Sequence, residues 1–195
     1  MLKEGLKIIE RVEMKPEEIL QRLFYVDISF ERLNNKPSDI KEFNKIIADL
    51  KNKAKNKSLD EIKKELNNGD LIWFNRLADQ NCKILKLNVS DLCIDDYHNR
   101  ISIGKSRVNR GDKIENISQS MGEDNRIKSL VECYFFEELL YEIPIVVRPY
   151  YKLYEVISGN HRAISAFKKG KKEINCLCFC DASDTNLCNT LNFKE

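Results

Sequence analysis

A chain of 195 residues, 42% of them hydrophobic and 33% charged, is long enough to bury a full core and too apolar to be disordered. Lysine and arginine total 33 against 31 acids, which excludes a polycation and leaves only a local basic patch for any nucleic acid. No apolar run reaches the length of a bilayer crossing, and Met1-Leu2-Lys3-Glu4-Gly5-Leu6-Lys7 lacks the continuous apolar stretch of a secretion signal.

Residues 1–80 read as a helical region. Pro16 suits a first helical turn, and Ile19, Leu23, Val26, Phe30 and Leu33 follow at spacings of three and four. Ser38 is the expected N-cap of a second helix whose apolar face is Ile40, Phe43, Ile46, Ile47 and Leu50. Ser58 and Glu61 form a capping-box pattern for a third helix, ending near Asn68-Gly69. A fourth short helix carries Leu71, Ile72, Phe74 and Leu77, with Trp73 expected in the core. Lys51, Lys53, Lys55 and Lys57 close the second helix, where cations complement the helix dipole. The region is a candidate for homodimer or partner contacts, and its residues do not choose between them.

From Cys82 the texture changes. Lys83 to Val89 alternates apolar and polar residues as a strand does. The polar, glycine-containing stretch from Asp95 to Gly122 is long for a compact domain and reads as either functional or partly mobile. Residues 124–141 read as one helix burying Ile127, Leu130, Val131, Tyr134, Phe135, Leu139 and Leu140. Two strands follow, Ile143 to Arg148 and Leu153 to Ile157. A helix from Asn160 to Lys169 is stopped by Gly170, and a last strand runs from Ile174 to Phe179. Interleaved strands and helices imply an α+β (mixed α/β) domain over 82–181, with a tail at 182–195.

Seven cysteines, an odd number without the spacing of a disulfide framework, fit a reducing cytoplasm. Cys176, Cys178 and Cys180 alternate along the last strand and Cys188 follows. Thiols at every second strand position make a poor zinc cage, so no metal site is expected.

The chemistry concentrates at Ser158-Gly159-Asn160-His161-Arg162, where a strand passes through a tight turn into a helix. Gly159 leaves the backbone open to a ligand, and the first amides of the helix lack intrahelical acceptors. With the helix dipole, these amides make an anion site. Arg162 can chelate two phosphate oxygens, and His161 can donate a hydrogen bond or titrate beside an anion. The same residues also describe a plain strand–helix junction, with Asn160 as cap and Arg162 paired to a surface carboxylate.

Other candidates lie nearby. Asp95 and Asp96, close to His98, can bind Mg²⁺ or act as a base in phosphoryl chemistry, and equally can form a turn. Glu155, on the strand entering the turn, is a further carboxylate candidate. Arg100, Lys105, Arg107, Arg110 and Lys113 share their stretch with one acid, Asp112. That composition suits a nucleic-acid backbone or a triphosphate, and also a solvated loop.

The turn and its flanks resemble the ParB/sulfiredoxin superfamily, in which a Gly-x-(His/Arg)-Arg turn opens a helix after a strand. Ile143-Pro144-Ile145-Val146-Val147-Arg148-Pro149 is similar to the strand preceding that turn. Ala163 to Gly170 and Lys171-Lys172-Glu173-Ile174 are similar to its continuation. Lys86-Leu87-Asn88-Val89-Ser90-Asp91-Leu92 and Asn99-Arg100 resemble the family's opening strand and first box. The resemblance implies a nucleotide pocket in which Gly159, Asn160, His161 and Arg162 contact phosphates, with Arg100 on the opposite wall. It further implies a nucleoside triphosphate (CTP or ATP) with Mg²⁺, and an NTPase or phosphotransferase linked to DNA. The alternative is a non-enzymatic DNA- or partner-binding module with a vestigial pocket. Asn160 stands where a sulfiredoxin carries its nucleophilic cysteine, which argues against sulfinate repair. The ParB turn usually carries Glu and a second Arg where Asn160 and His161 stand. No helix-turn-helix module follows within these residues, which points away from a full chromosome-partition protein.

Overall fold

In the computed structural model, residues 8–10, 16–77, 82–94, 111–120 and 122–179 are described. Six strands form one mixed sheet: β1 (Ile8–Glu10), β2 (Cys82–Asn88), β3 (Leu92–Ile94), β4 (Ile145–Tyr150), β5 (Leu153–Ser158) and β6 (Glu173–Phe179). Their order is β1-β2-β6-β4-β5-β3, with β3 parallel to β5, β4 parallel to β6, and the other pairs antiparallel. Eight α-helices surround the sheet among the described residues. They are α1 (Pro16–Glu31), α2 (Ile40–Lys55), α3 (Leu59–Glu65), α4 (Asn68–Leu77), α5 (Ile114–Ser120), α6 (Asn125–Glu132), α7 (Phe136–Glu142) and α8 (Asn160–Lys168). This is an α+β architecture, as the interleaved elements predict.

Strand alternation sorts the core into two clusters, one on each face. Cys178, Val147, Val156 and Ile94 lie opposite one another across four strands and share one cluster. That face is filled by Ala163, Ile164 and Ala166 of α8, Ile114 and Ile117 of α5, Ile127 of α6 and Phe43 of α2. Val146, Ile157, Leu177 and Phe179 belong to the other cluster, covered by Phe24 of α1, Ile62 of α3, and Trp73, Phe74 and Leu77 of α4. Helix α1 reaches both, with Phe24 in one cluster and Val26 and Phe30 in the other. The helices of residues 16–77 thus contribute to both clusters and share the core with the sheet, and β1 adds a strand from the region expected to be helical. No helix among the described residues is long and apolar enough to cross a membrane.

Local rules account for most element ends, and four of the expectations shift. The Ser58–Glu61 capping box forms with both of its reciprocal bonds. The cap of α2 is Asp39 instead of Ser38, its carboxylate accepting from Glu42 N at 2.8 Å, while Ser38 donates to the Glu42 carboxylate. Helix α3 stops at Glu65, short of Asn68-Gly69, because Leu66 is extended and Asn67 starts α4 by accepting from Asp70 N at 2.9 Å. The single helix expected over 124–141 is two. Cys133 is extended, Tyr134 turns outward at 69% exposure, and Phe135 and Phe136 are both buried. The break lets Phe135 pack against Phe43, ring centroids 5.0 Å apart, while the Tyr134 hydroxyl donates to the Ser38 carbonyl. The stretch from Asp95 to Gly122 is not one loop, since α5 lies within it and buries Ile114 and Ile117.

Candidate functional site

Strand β5 ends at Ser158, between β4 and β3, and α8 begins two residues later. Gly159 joins them in the left-handed region, φ 97° and ψ 28°, and caps α8 without any side-chain hydrogen bond. Asn160 is therefore the first helical residue rather than the cap, and it is buried. Gly159 is required twice over. Besides its positive φ, a Cβ there would stand 2.9 Å from Arg162 Nη2 and 3.0 Å from Nε. The space expected to admit a ligand to the backbone is partly filled by the protein's own guanidinium.

Arg162 is 4% exposed and committed to protein acceptors. Nη1 donates to the Ile143 carbonyl at 2.6 Å, and Nη2 donates to Asp27 Oδ2 at 2.9 Å. The Ser158 hydroxyl donates to the same Asp27 oxygen. A carboxylate from α1 thus occupies the position that the sequence offers to a phosphate. The expectation that Arg162 chelates two phosphate oxygens gives way to a positioning role, clasping the turn to α1 and to the residue before β4. Of the two sequence readings, pairing with a carboxylate is the one found, with an inward instead of a surface partner. Asp27 escaped the sequence reading, although it is the one charged residue in the run from Leu23 to Phe30. A lone acid on an apolar helix face is the signal that was there to find.

His161 faces outward from the first turn of α8, partly exposed, with Nε2 3.8 Å from Asp124 Oδ2. Asp124 is itself the cap of α6, accepting from the amides of Arg126 and Ile127. Over the turn opens a groove of about 400 Å³ whose floor is Ser158 to Arg162. Its walls include Glu31 of α1 and the following Arg32, Asp70 and Trp73 of α4, and Arg126 of α6. Arg126 is 70% exposed and only loosely paired to Glu31, at 3.9 Å, while Arg32 donates to the Glu65 carbonyl at 2.8 Å. The bend is open to this groove, and its guanidinium faces inward.

No family model matches the chain, and no curated protein or solved structure matches it. The likeness of the turn to the ParB/sulfiredoxin superfamily accordingly rests on the residues quoted above.

Glu155 does not face the groove. It is fully buried and its carboxylate lies 2.6 Å from Arg148 Nε, one strand away in register. Arg148 also stacks 4.7 Å from the Trp73 ring centre, and Trp73 is core, as expected. Sealed in this way, Glu155 has no route to a substrate, which corrects its reading as a catalytic candidate. Lys51 pairs with Glu142, and Lys57 pairs with Glu65, so both have structural partners in this part of the molecule. Cys176 and Cys178 are fully buried on one face of β6, and burial pushes both thiols well above their usual range. Among the described residues no three metal-ligating side chains come together.

Asp95, Asp96, His98, Asn99, Arg100, Lys105, Arg107, Arg110, Cys180 and Cys188 lie outside the described residues. The flanks of the basic stretch are described. Gly111 N donates to the Ile94 carbonyl and Ile94 N to the Asp112 carbonyl, at 2.9 and 3.0 Å. Ile94 stands opposite Val156, two residues before Ser158, so both flanks meet at the end of the sheet that carries the turn. Lys113 bridges to Cys93 beside them.

Proposed function

We propose that this protein binds the phosphates of a nucleotide in the groove over Ser158–Arg162, as a ParB/sulfiredoxin-like domain. The observation that carries the reading is the uncapped start of α8. A left-handed glycine with no side-chain cap puts the positive end of the helix beside an open groove of about 400 Å³. His161 stands on the first turn, and the guanidinium groups of Arg126 and Arg32 line the groove. The groove also carries Glu31 and Asp70, so it is the amides at the helix start, lacking intrahelical acceptors, more than net charge, that favour an anion there. The size falls within the range of small-ligand pockets, roughly 300–1,000 Å³. In this reading Arg162 and Asp27 hold the turn in shape and His161 and Arg126 touch the ligand. The ligand class is a nucleoside triphosphate, CTP or ATP, with Mg²⁺, and hydrolysis or phosphoryl transfer in a DNA-linked role is the output.

The test is a titration of CTP, ATP, ADP and GTP with Mg²⁺, followed by thermal shift and calorimetry, on the wild type, His161→Ala and Arg126→Ala. One nucleotide should stabilise the wild type by about 2.7 kcal/mol when present at about 100 times its dissociation constant. Each variant should need roughly tenfold more ligand for the same shift, as loss of a charge-assisted contact implies. Release of inorganic phosphate then separates an enzyme from a binder. If no nucleotide at millimolar concentration moves the midpoint, the reading is wrong.

A further inference from the structure

A second cavity, of about 450 Å³, lies on the other side of the Asp27–Arg162 clasp. Most of its lining surface is apolar, from Phe30 of α1, Pro37, Leu130 of α6, Cys133, Phe135 and Leu139 of α7, with charged residues between them and Lys36 Nζ 4.6 Å from the Phe30 ring centre. The hollow opens to solvent, and a mainly apolar cleft of this size is the form that small-ligand pockets take. Two of its walls are aromatic. Phe30 and Phe135 both pack on Phe43, with ring centres 5.7 and 5.0 Å apart, which holds them rigidly in place. Asp27, Glu31, Arg126 and Arg162 line this cavity and the groove over the turn alike, so the two spaces meet along a single partition. The inner part of that partition is the Asp27–Arg162 pair, its guanidinium buried and its carboxylate partly exposed. Its outer part is the exposed Glu31–Arg126 pair, whose 3.9 Å separation is too long for a firm hydrogen bond.

We infer that the apolar cavity is the second half of the phosphate site and takes the flat aromatic body of the same ligand. The protein would then select a nucleotide over a bare polyphosphate. This rests on the phosphate reading of the groove and adds to it the part of the ligand that carries its identity. The phosphates lie at the start of α8, and the aromatic body lies in the apolar cavity beyond the partition. Arg126 belongs to both spaces, so its planar guanidinium can pair with a phosphate on one side and stack on a ring on the other. Stacking between apolar walls discriminates for a ring system with little regard to which base it is. The expected specificity is therefore for the aromatic group first and base identity second.

The experiment compares inorganic tripolyphosphate with ATP, CTP and GTP by calorimetry on the full chain. Wild type should bind the preferred nucleotide at least about tenfold more tightly than tripolyphosphate, the increment that one stacked ring supplies. Ser129→Trp, from an exposed position on the cavity wall, fills the hollow and should bring that ratio close to one. Ser38→Trp enters from the opposite wall and serves if the first variant fails to fold. His161→Ala should weaken tripolyphosphate and nucleotide alike.

Cys133 supplies a second readout, since it lines this cavity and not the groove. Burial holds its thiol above the usual range, so alkylation with N-ethylmaleimide is run under mildly alkaline conditions and read by peptide mass mapping. Saturating nucleotide should slow labelling of Cys133 severalfold, and tripolyphosphate should not. Equal affinity for nucleotide and tripolyphosphate would overturn the inference while leaving the phosphate reading intact. So would an unchanged affinity ratio in the tryptophan variants, or labelling of Cys133 at one rate with and without nucleotide. Binding of neither ligand would overturn both.

Discussion

Arg148 and Arg162 are both buried, and both have a carboxylate partner, yet they hold different kinds of space. Arg148 meets Glu155 across neighbouring strands, seven residues away in sequence, under the Trp73 ring, with 8% and 0% exposure. Arg162 meets Asp27 from a helix 135 residues earlier, and that carboxylate keeps 17% of its side-chain surface exposed. The first pair is enclosed on every side that the sheet and α4 provide. The second is the partition between two open spaces. A sealed ion pair fixes strand register and has no route to a ligand. A clasp that borders cavities sets the shape of whatever binds there. The two arginines are alike in type and burial, and it is the exposure of the carboxylate partner that separates the sealed pair from the one bordering open space.

Removing one member of each pair tests this difference, and the sealed pair should respond most. Glu155→Ala leaves the Arg148 charge buried and uncompensated, and should lower unfolding stability by about 3–5 kcal/mol in urea denaturation. The double change Arg148→Met with Glu155→Leu should recover most of that loss, because it removes both desolvated charges together. Neither change should alter nucleotide affinity in whatever fraction remains folded.

The clasp should be weaker. Arg162→Ala strands Asp27 where water can still reach it, and about 2–4 kcal/mol is expected. Asp27→Asn keeps an oxygen able to accept from Ser158 and Arg162 but loses the charge, and about 1–2 kcal/mol is expected. An Arg162→Ala loss larger than that of Glu155→Ala would break the comparison, since the more open pair would then be the costlier one to disrupt. The smallest stability effect belongs to the groove wall. His161→Ala should leave the unfolding free energy within about 0.5 kcal/mol of wild type, as a partly exposed side chain outside the core should. A large loss there would mean that His161 is structural, and its place in the phosphate site would be lost.

Where physics acts over a few residues, this fold was legible. The periodicity of α1, the reciprocal Ser58–Glu61 box, the alternation of β2 and the glycine stop after α8 are each decided by neighbours in the chain. The strand–turn–helix of Leu153–Lys168 was legible for the same reason. The break between α6 and α7 was not. Apolar spacing continues straight through Cys133-Tyr134-Phe135, and the packing of Phe135 on α2 is what sets it. Helix α5 was missed because two buried isoleucines in a polar stretch make too faint a pattern.

By itself the sequence determined that strands and helices interleave, that Gly159 must bend the chain and that a helix starts there. Those follow from backbone sterics and from the side chains next to each residue. Tertiary structure alone decided what surrounds the bend. The Arg162 guanidinium fills the hollow under Gly159, Asp27 takes the place of an external anion, and two cavities meet at that pair. A carboxylate brought in by packing a helix against a sheet leaves no period or spacing in the chain, because its partner is chosen by proximity in space.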